Sequence, residues 1–203
     1  MTVPGDRALR RRRLLGAAMA APVAAAFGGC AGTGLEPTVI VGGDSANFIP
    51  EVPYMRTPDE VVAAMVALAG VGPGDFVVEL GCGDGQILIA AAQKGASGLG
   101  VDIDPHPLNI ARYRAAALGV AGRVRFERAD LFDTDLRNAT VVMLYLSNDV
   151  NARLIPKLRR ELPSGARVVS HKFHMGDWQP DARREVDGVP VYLWRMAGRS
   201  ARG

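Results

Sequence analysis

The stretch best suited to chemistry is Phe76-Val77-Val78-Glu79-Leu80-Gly81-Cys82-Gly83-Asp84-Gly85, an apolar run that breaks into alternating glycines. Glycines there allow positive φ and let a ligand approach the backbone with no Cβ in the way. A helix that starts directly after such a turn offers unpaired N–H groups to an anionic end. The chemistry is therefore capture of a nucleotide-like ligand, and spacing separates two forms of it. Dinucleotide dehydrogenases use G-x-G-x-x-G, whose third glycine lets the pyrophosphate sit against the helix. Here position 86 is Gln and the pattern is E-x-G-x-G-x-G. Two more acids follow at matching places. Asp102, in Gly100-Val101-Asp102-Ile103-Asp104-Pro105, lies about 20 residues beyond the loop, where a carboxylate can accept both hydroxyls of a ribose. Asp130 closes Glu127-Arg128-Ala129-Asp130. One acid alone is a solvated loop or a helix cap; three in order, at successive strand ends, point to one ligand.

Positioning those acids takes strands that all end on one side. Short apolar runs predict strands over 76–80, 99–103, 124–127, 140–146, 167–173 and 189–196. Amphipathic runs between them predict helices over 86–94, 107–118 and 149–162. An earlier helix is signalled by Thr57-Pro58-Asp59-Glu60, which reads as an N-cap, a first-turn proline and a capping-box Glu. Val61, Val62, Met65, Leu68 and Ala69 follow at helical spacing, and Gly70 and Gly72 end the run. Alternating strands and helices imply right-handed crossovers and an α/β, doubly wound, mostly parallel sheet. Asp187-Gly188 is a tight-turn pair that folds the last strand back as an antiparallel C-terminal edge. His171 and His174 are three apart at a strand end and so face opposite ways, which argues against a metal site.

Composition bounds the partners. The chain has 203 residues with 24 Lys+Arg, 21 Asp+Glu, two Cys and 48% hydrophobic residues, a single globular domain rather than a disordered or disulfide-built one. Its pI near 9.1 invites a nucleic-acid partner. Residues 1–30, however, hold Arg7, Arg10, Arg11, Arg12 and Arg13 against Asp6 alone, and the rest carries 19 basic and 20 acidic groups. Proteins that grip phosphate backbones carry their positive charge on the folded domain, so nucleic acid is not the expected partner. Residues 1–30 read as an export or anchor leader, with an arginine run before Leu14, Leu15 and an Ala-rich stretch. Arg11-Arg12-Arg13-Leu14-Leu15 resembles a twin-arginine signal, and Gly28-Gly29-Cys30 resembles a lipoprotein cleavage site. The expected location is the cell envelope, with membrane association through the leader; a start codon placed too early gives a cytoplasmic product instead. Residues 31–53 are Gly- and Pro-rich, a linker before the domain at 54–203.

The E-x-G-x-G-x-G loop with its acids resembles motif I of class I S-adenosylmethionine-dependent methyltransferases, and that resemblance implies a Rossmann-like fold and S-adenosyl-L-methionine as cofactor. A narrower resemblance covers most of the domain. Val52 to Pro58, Glu79 to Ile89, Asp130-Leu131-Phe132, Val141 to Leu146, Arg167 to His171 and Met175 to Pro180 are similar to small bacterial methyltransferases. Those in turn are similar to the mitochondrial lysine methyltransferases of the ATP synthase c-subunit and the adenine nucleotide translocase. Cys82 and Gln86 stand where that group usually has Ser and Arg, Ser147-Asn148 replaces Leu-Pro, and Lys172 replaces an acid or Arg.

By this resemblance Gly81, Gly83 and Gly85 cradle the cofactor, Asp102 takes the ribose, and Asp130 meets the adenine amino group with Leu131 near the ring. Glu79 and Asp84 frame the methionine amino group, and Tyr54 and Thr57 lie near the methionine end. Thr57 also reads as a plain helix cap, Tyr54 as an aromatic covering the sheet, and Trp178 as either a substrate wall or core packing. Asp84, Tyr145 and Asp177 are expected nearest the methyl, Asp84 for cofactor placement and Tyr145 for lining the acceptor; no general base is assigned. The implied activity is methyl transfer to a protein lysine amine. A small-molecule O- or N-methyltransferase and a non-catalytic envelope lipoprotein keeping the fold are the alternatives.

Overall fold

The computed structural model describes residues 51–197, so the leader and nearly all of the linker lie outside the described residues. Four helices and seven strands follow in chain order: α1 (Asp59–Ala69), β1 (Phe76–Leu80), α2 (Gln86–Gln93), β2 (Ser97–Asp102), α3 (Pro105–Ala117), β3 (Val124–Arg128), β4 (Val141–Leu144), α4 (Asn148–Glu161), β5 (Arg167–His171), β6 (Ala182–Val186) and β7 (Val189–Arg195). The strands form one sheet in the order β3-β2-β1-β4-β5-β7-β6. β1 to β5 are parallel and β7 runs antiparallel to both β5 and β6. The sheet is doubly wound and Rossmann-like. Strand order reverses between β1 and β4, and the crevice outside the carboxyl ends of those strands is where ligands enter open α/β sheets.

β1 is a near-continuous apolar run because both of its faces are covered. Val77 faces α1, α2 and α3 in one core cluster, and Val78 and Leu80 face α4 in the other. Each helix start is fixed locally. Asp104 caps α3, its carboxylate accepting from His106 N–H at 2.9 Å, with Pro105 in the first turn. Ser147 caps α4, its hydroxyl accepting from Val150 N–H at 3.2 Å.

One expectation changes. Pro58, not Thr57, occupies the N-cap of α1, and no side chain caps that helix. Thr57 is instead buried at 4% exposure. The expected antiparallel C-terminal edge is present and has two strands: Ala182–Val186, which carries no apolar alternation, pairs with the closing strand as an additional outer strand. Asp187 and Gly188, with φ of 49° and 77°, make the turn of that hairpin.

At the amino ends of the central strands an ion-pair network ties the sheet together. Asp75 pairs with Arg167, accepts from the Thr140 hydroxyl at 2.7 Å and accepts from Gly72 N–H at 3.0 Å. Arg167 also donates to the carbonyl of Ala69 at 2.7 Å, at the end of α1. Burial works to raise the Asp75 pKa, but the Gly72, Thr140 and Arg167 bonds outweigh it and hold the carboxyl below its ordinary value. Among the described residues no helix is long and apolar enough to cross a membrane.

Candidate active site

A cavity of about 330 Å3 opens at the carboxyl ends of β1, β2 and β4. Its walls come from the extended segment before α1 (Val52, Pro53, Tyr54, Met55, Thr57), the glycine loop, Asp102 to Asp104, Ala129 to Phe132, and Tyr145-Leu146. The structure thus gathers Tyr54, Thr57, Glu79, Gly81, Asp84, Asp102, Asp130, Leu131 and Tyr145 around one space, with Gly83 and Gly85 in the same turn. Asp177 is exposed and is not part of this wall, so its expected place beside the methyl is wrong. The loop carrying it is closed by the backbone pairing of Met175 with Trp178. Trp178 packs as well: its carbonyl accepts from the Trp194 indole at 2.8 Å, and Arg159 lies over its ring at 4.7 Å.

The glycine turn is folded around its neighbours. Gly81 and Cys82 N–H both donate to Val101 O at 2.9 Å, which ties the turn to β2. At Gly83, φ is 49° and a Cβ would collide with the Cδ2 and Cε2 edge of the Tyr54 ring. At Gly85, φ is 73° and a Cβ would meet Phe126 at 2.6 Å and Ala111 at 2.9 Å. No larger residue fits either position without moving the walls. Cys82 is a buried thiol whose pKa is pushed up, first by burial and then by the charges of Glu79 and Asp102.

Four acids face the cavity in different states. Asp102 is held square to it: one carboxylate oxygen accepts from Gly83 N–H at 2.8 Å and the other from Asp104 N–H at 3.0 Å. Each oxygen keeps lone-pair capacity for a further donor. Glu79 is 4% exposed and accepts from Leu88 N–H, in the first turn of α2, at 2.9 Å. Its pKa is raised well above the ordinary value, chiefly by burial, with the Asp84 and Asp102 charges adding and the Leu88 bond opposing. Asp84 is bound by Arg114 from α3 and by the Tyr54 hydroxyl. The Tyr54 pKa is pushed up to about 12, by burial first and then by the Asp84 charge and hydrogen bond. Asp130 is exposed, and its carboxylate accepts from Phe132 N–H at 2.8 Å, setting the turn that carries Leu131.

Several contributors were not anticipated. Arg114 lies 30 residues from its partner, so no local pattern reveals it. Gln86 donates to Asp59 at 2.5 Å, while its own carbonyl oxygen is buried with no hydrogen-bond partner. Asn151 of α4 donates to Ser170 Oγ at 3.1 Å and to Phe173 O at 3.2 Å, and Asn148 accepts from His174 N–H at 3.1 Å. The Ser147-Asn148 pair therefore caps α4 and holds the loop after β5. His171 is buried with its ring against Tyr145, centroids 3.9 Å apart, whereas His174 is exposed. No group of three or more His, Cys, Asp or Glu among the described residues could hold a metal ion.

A mostly parallel sheet with this order, a glycine turn open to one side and acids at three successive strand ends define a class I S-adenosylmethionine-dependent methyltransferase. The walls fit that cofactor: the turn is clear of side chains where a ligand must approach, and the Asp102 oxygens keep acceptor capacity. The chain belongs to the ANTKMT methyltransferase domain family, which matches residues 79–182. It is 40% identical over 154 residues to a protein-lysine N-methyltransferase of Saccharolobus islandicus, covering 73% of this chain and 96% of the relative. It is 38% identical over 133 residues to the adenine nucleotide translocase lysine N-methyltransferase of Mus musculus, covering 65% of this chain and 58% of that relative. Among solved structures it resembles an RNA methyltransferase from Salinibacter ruber in complex with S-adenosyl-L-homocysteine. That likeness has a TM-score of 0.70 and 43% identity, and covers 73% of this chain and 98% of the other. The protein is an S-adenosylmethionine-dependent methyltransferase.

Proposed function

We propose that this methyltransferase modifies the side-chain amine of a protein lysine. The observation that carries the reading is the match to the archaeal lysine enzyme across nearly its full length. Lysine names recur in the shorter matches to mouse and human proteins.

Asp102 receives the ribose hydroxyls on the oxygens that Gly83 and Asp104 orient, and Asp130 with Leu131 takes the adenine. Glu79 and Asp84 frame the methionine amino group, whose positive charge relieves the crowding of acids behind the glycine turn. Tyr54 and buried Thr57 close over the methionine end. Once bound, S-adenosylmethionine supplies a sulfonium methyl that any nucleophile placed in line can take. The chain's task is mainly placement, which contributes up to about 7 to 11 kcal/mol in well-oriented reactions. Bringing a lysine from a pKa of about 10.4 to neutrality at pH 7 costs about 4.6 kcal/mol, and the apolar side of the cavity, with Leu146 and Val150, favours the uncharged amine. Asp84 is held by Arg114 and Tyr54 and so serves placement, not proton removal.

The test is transfer of labelled methyl groups from S-adenosylmethionine to extracts divided into membrane protein, soluble protein, RNA and metabolites. Label that survives nuclease, is lost to protease and appears as methyl-lysine after hydrolysis supports the reading. Likeness to the Salinibacter protein favours RNA as a second acceptor, and nuclease-sensitive label would establish it instead. The leader's arginine run further supports an envelope location, which fractionation of the tagged full-length chain tests.

A further inference from the structure

Residues 51–57 form a strap along the cavity with no regular secondary structure, and among the described residues its backbone makes no hydrogen bond. Side chains hold it instead. At one end the Tyr54 ring edge packs against Gly83 and its hydroxyl bonds Asp84. At the other, Glu51 accepts from Arg153 of α4 at 2.6 Å, across 102 residues of chain. The Arg153 guanidinium also stands over the Phe132 ring, 4.5 Å from its centre. Glu51, Phe132 and Arg153 all line the cavity. One arginine thus joins the strap to two other walls, α4 and the Asp130–Phe132 turn.

The Arg153 and Glu51 side chains are 53% and 59% exposed, and exposed pairs contribute little to global stability. Lifting the strap is a different matter. It breaks no backbone bond and no strand pairing, so contacts of this size decide how readily that segment opens. The strap also runs the length of the site, from Tyr54 at the methionine end to Glu51 beside the turn assigned above to adenine.

We propose that Arg153 is a positioning residue that latches the strap over the bound cofactor and slows departure of S-adenosylhomocysteine. The proposal holds for any methyl acceptor; it rests on the cofactor lying in this cavity. Arginine suits both partners at once, because its donors reach the Glu51 carboxylate while its flat cation stands over Phe132. Neither contact involves the reacting atoms, so the effect falls on release rather than on the transfer step. Where release limits turnover, a tighter latch lowers kcat. Salt screens an exposed pair, so the latch weakens as ionic strength rises.

The experiment measures dissociation of S-adenosylhomocysteine from the full-length protein by surface plasmon resonance, in wild type, Glu51→Gln, Arg153→Gln, the double variant and Arg153→Lys. Each single Gln variant is expected to release the ligand about twofold to threefold faster. The double variant should release it no faster than Arg153→Gln, because one shared interaction is lost once. Arg153→Lys, which keeps the charge, should stay near wild type. Raising NaCl from about 0.05 to 0.5 M should speed release more from wild type than from the Gln variants, a response that a purely structural role would not give. Unchanged dissociation in the Gln variants, effects that multiply in the double variant, or one salt response common to all of them overturns the latch while the cofactor site stands. Normal affinity in Asp102→Ala overturns the cavity assignment and the latch with it.

Discussion

Each end of the sheet carries an acid drawn at least partly out of solvent, and the two have opposite characters. At the amino ends, Asp75 is met by an arginine, a hydroxyl and a backbone N–H, and its pKa is lowered. At the carboxyl ends Glu79 has one backbone donor, lies near Asp84 and Asp102, and its pKa is raised. A carboxylate with a full set of donors is finished as structure. One that stays short of donors and is crowded by like charge is waiting for a cation, which is how functional sites differ from structural ion pairs. The contrast implies that removing charge at one end harms stability, and removing it at the other harms binding.

Breaking the carboxyl end should give the largest effect. Gly83→Arg fills the space beside Tyr54 and should abolish S-adenosylhomocysteine binding. Asp102→Ala, losing a charged acceptor for two hydroxyls, should weaken it by about a hundredfold or more. Calorimetry showing normal binding in both would falsify the site. At the other end, Arg167→Ala leaves Asp75 unpaired and should cost about 2 to 3 kcal/mol by denaturant titration, with cofactor affinity kept. Loss of affinity along with stability would blur the distinction.

Glu79→Gln sharpens it further. A raised folded pKa means that the folded state pays for ionisation as pH climbs from the unfolded value through the folded one, so the wild-type side chain loses stability over that window. The variant should therefore melt higher than wild type at pH 7, with the difference shrinking toward acid pH, and bind the cofactor more weakly. Asp75 has the opposite sign. Its lowered pKa gives stability that is present above the unfolded value and lost as pH falls through the folded one, so Asp75→Asn should flatten acid unfolding at its low-pH end. Least affected should be Arg153→Ala, which removes an exposed pair with Glu51 at 2.6 Å and should change stability by about 0.5 kcal/mol or less.

Much of this contrast was legible beforehand at the carboxyl end and little of it at the other. β1 begins and ends as expected because its apolar run stops at glycine. The acids stand where their strand-end positions put them. Thr57 misled because Thr-Pro-Asp-Glu satisfies the capping pattern, while burial against the site decided its place. β6 was missed because Arg183, Arg184 and Glu185 are all exposed, so nothing alternates. Arg114, Asn151 and the Asp75–Arg167 pair depend on contacts between distant segments, and His171 reads as an ordinary strand-end histidine until its ring meets Tyr145.

The seating of β7 between β5 and β6 has a consequence for synthesis. The strands that shape the cofactor cavity are complete by residue 144, long before the ribosome reaches Trp194, which ends fully buried. Until residues 182–195 emerge, the nascent chain presents β5, with Val168 and Val169, as a bare edge. An apolar edge of that kind recruits other strands, so shortened translation products should retain ligand recognition in part and fail by clumping.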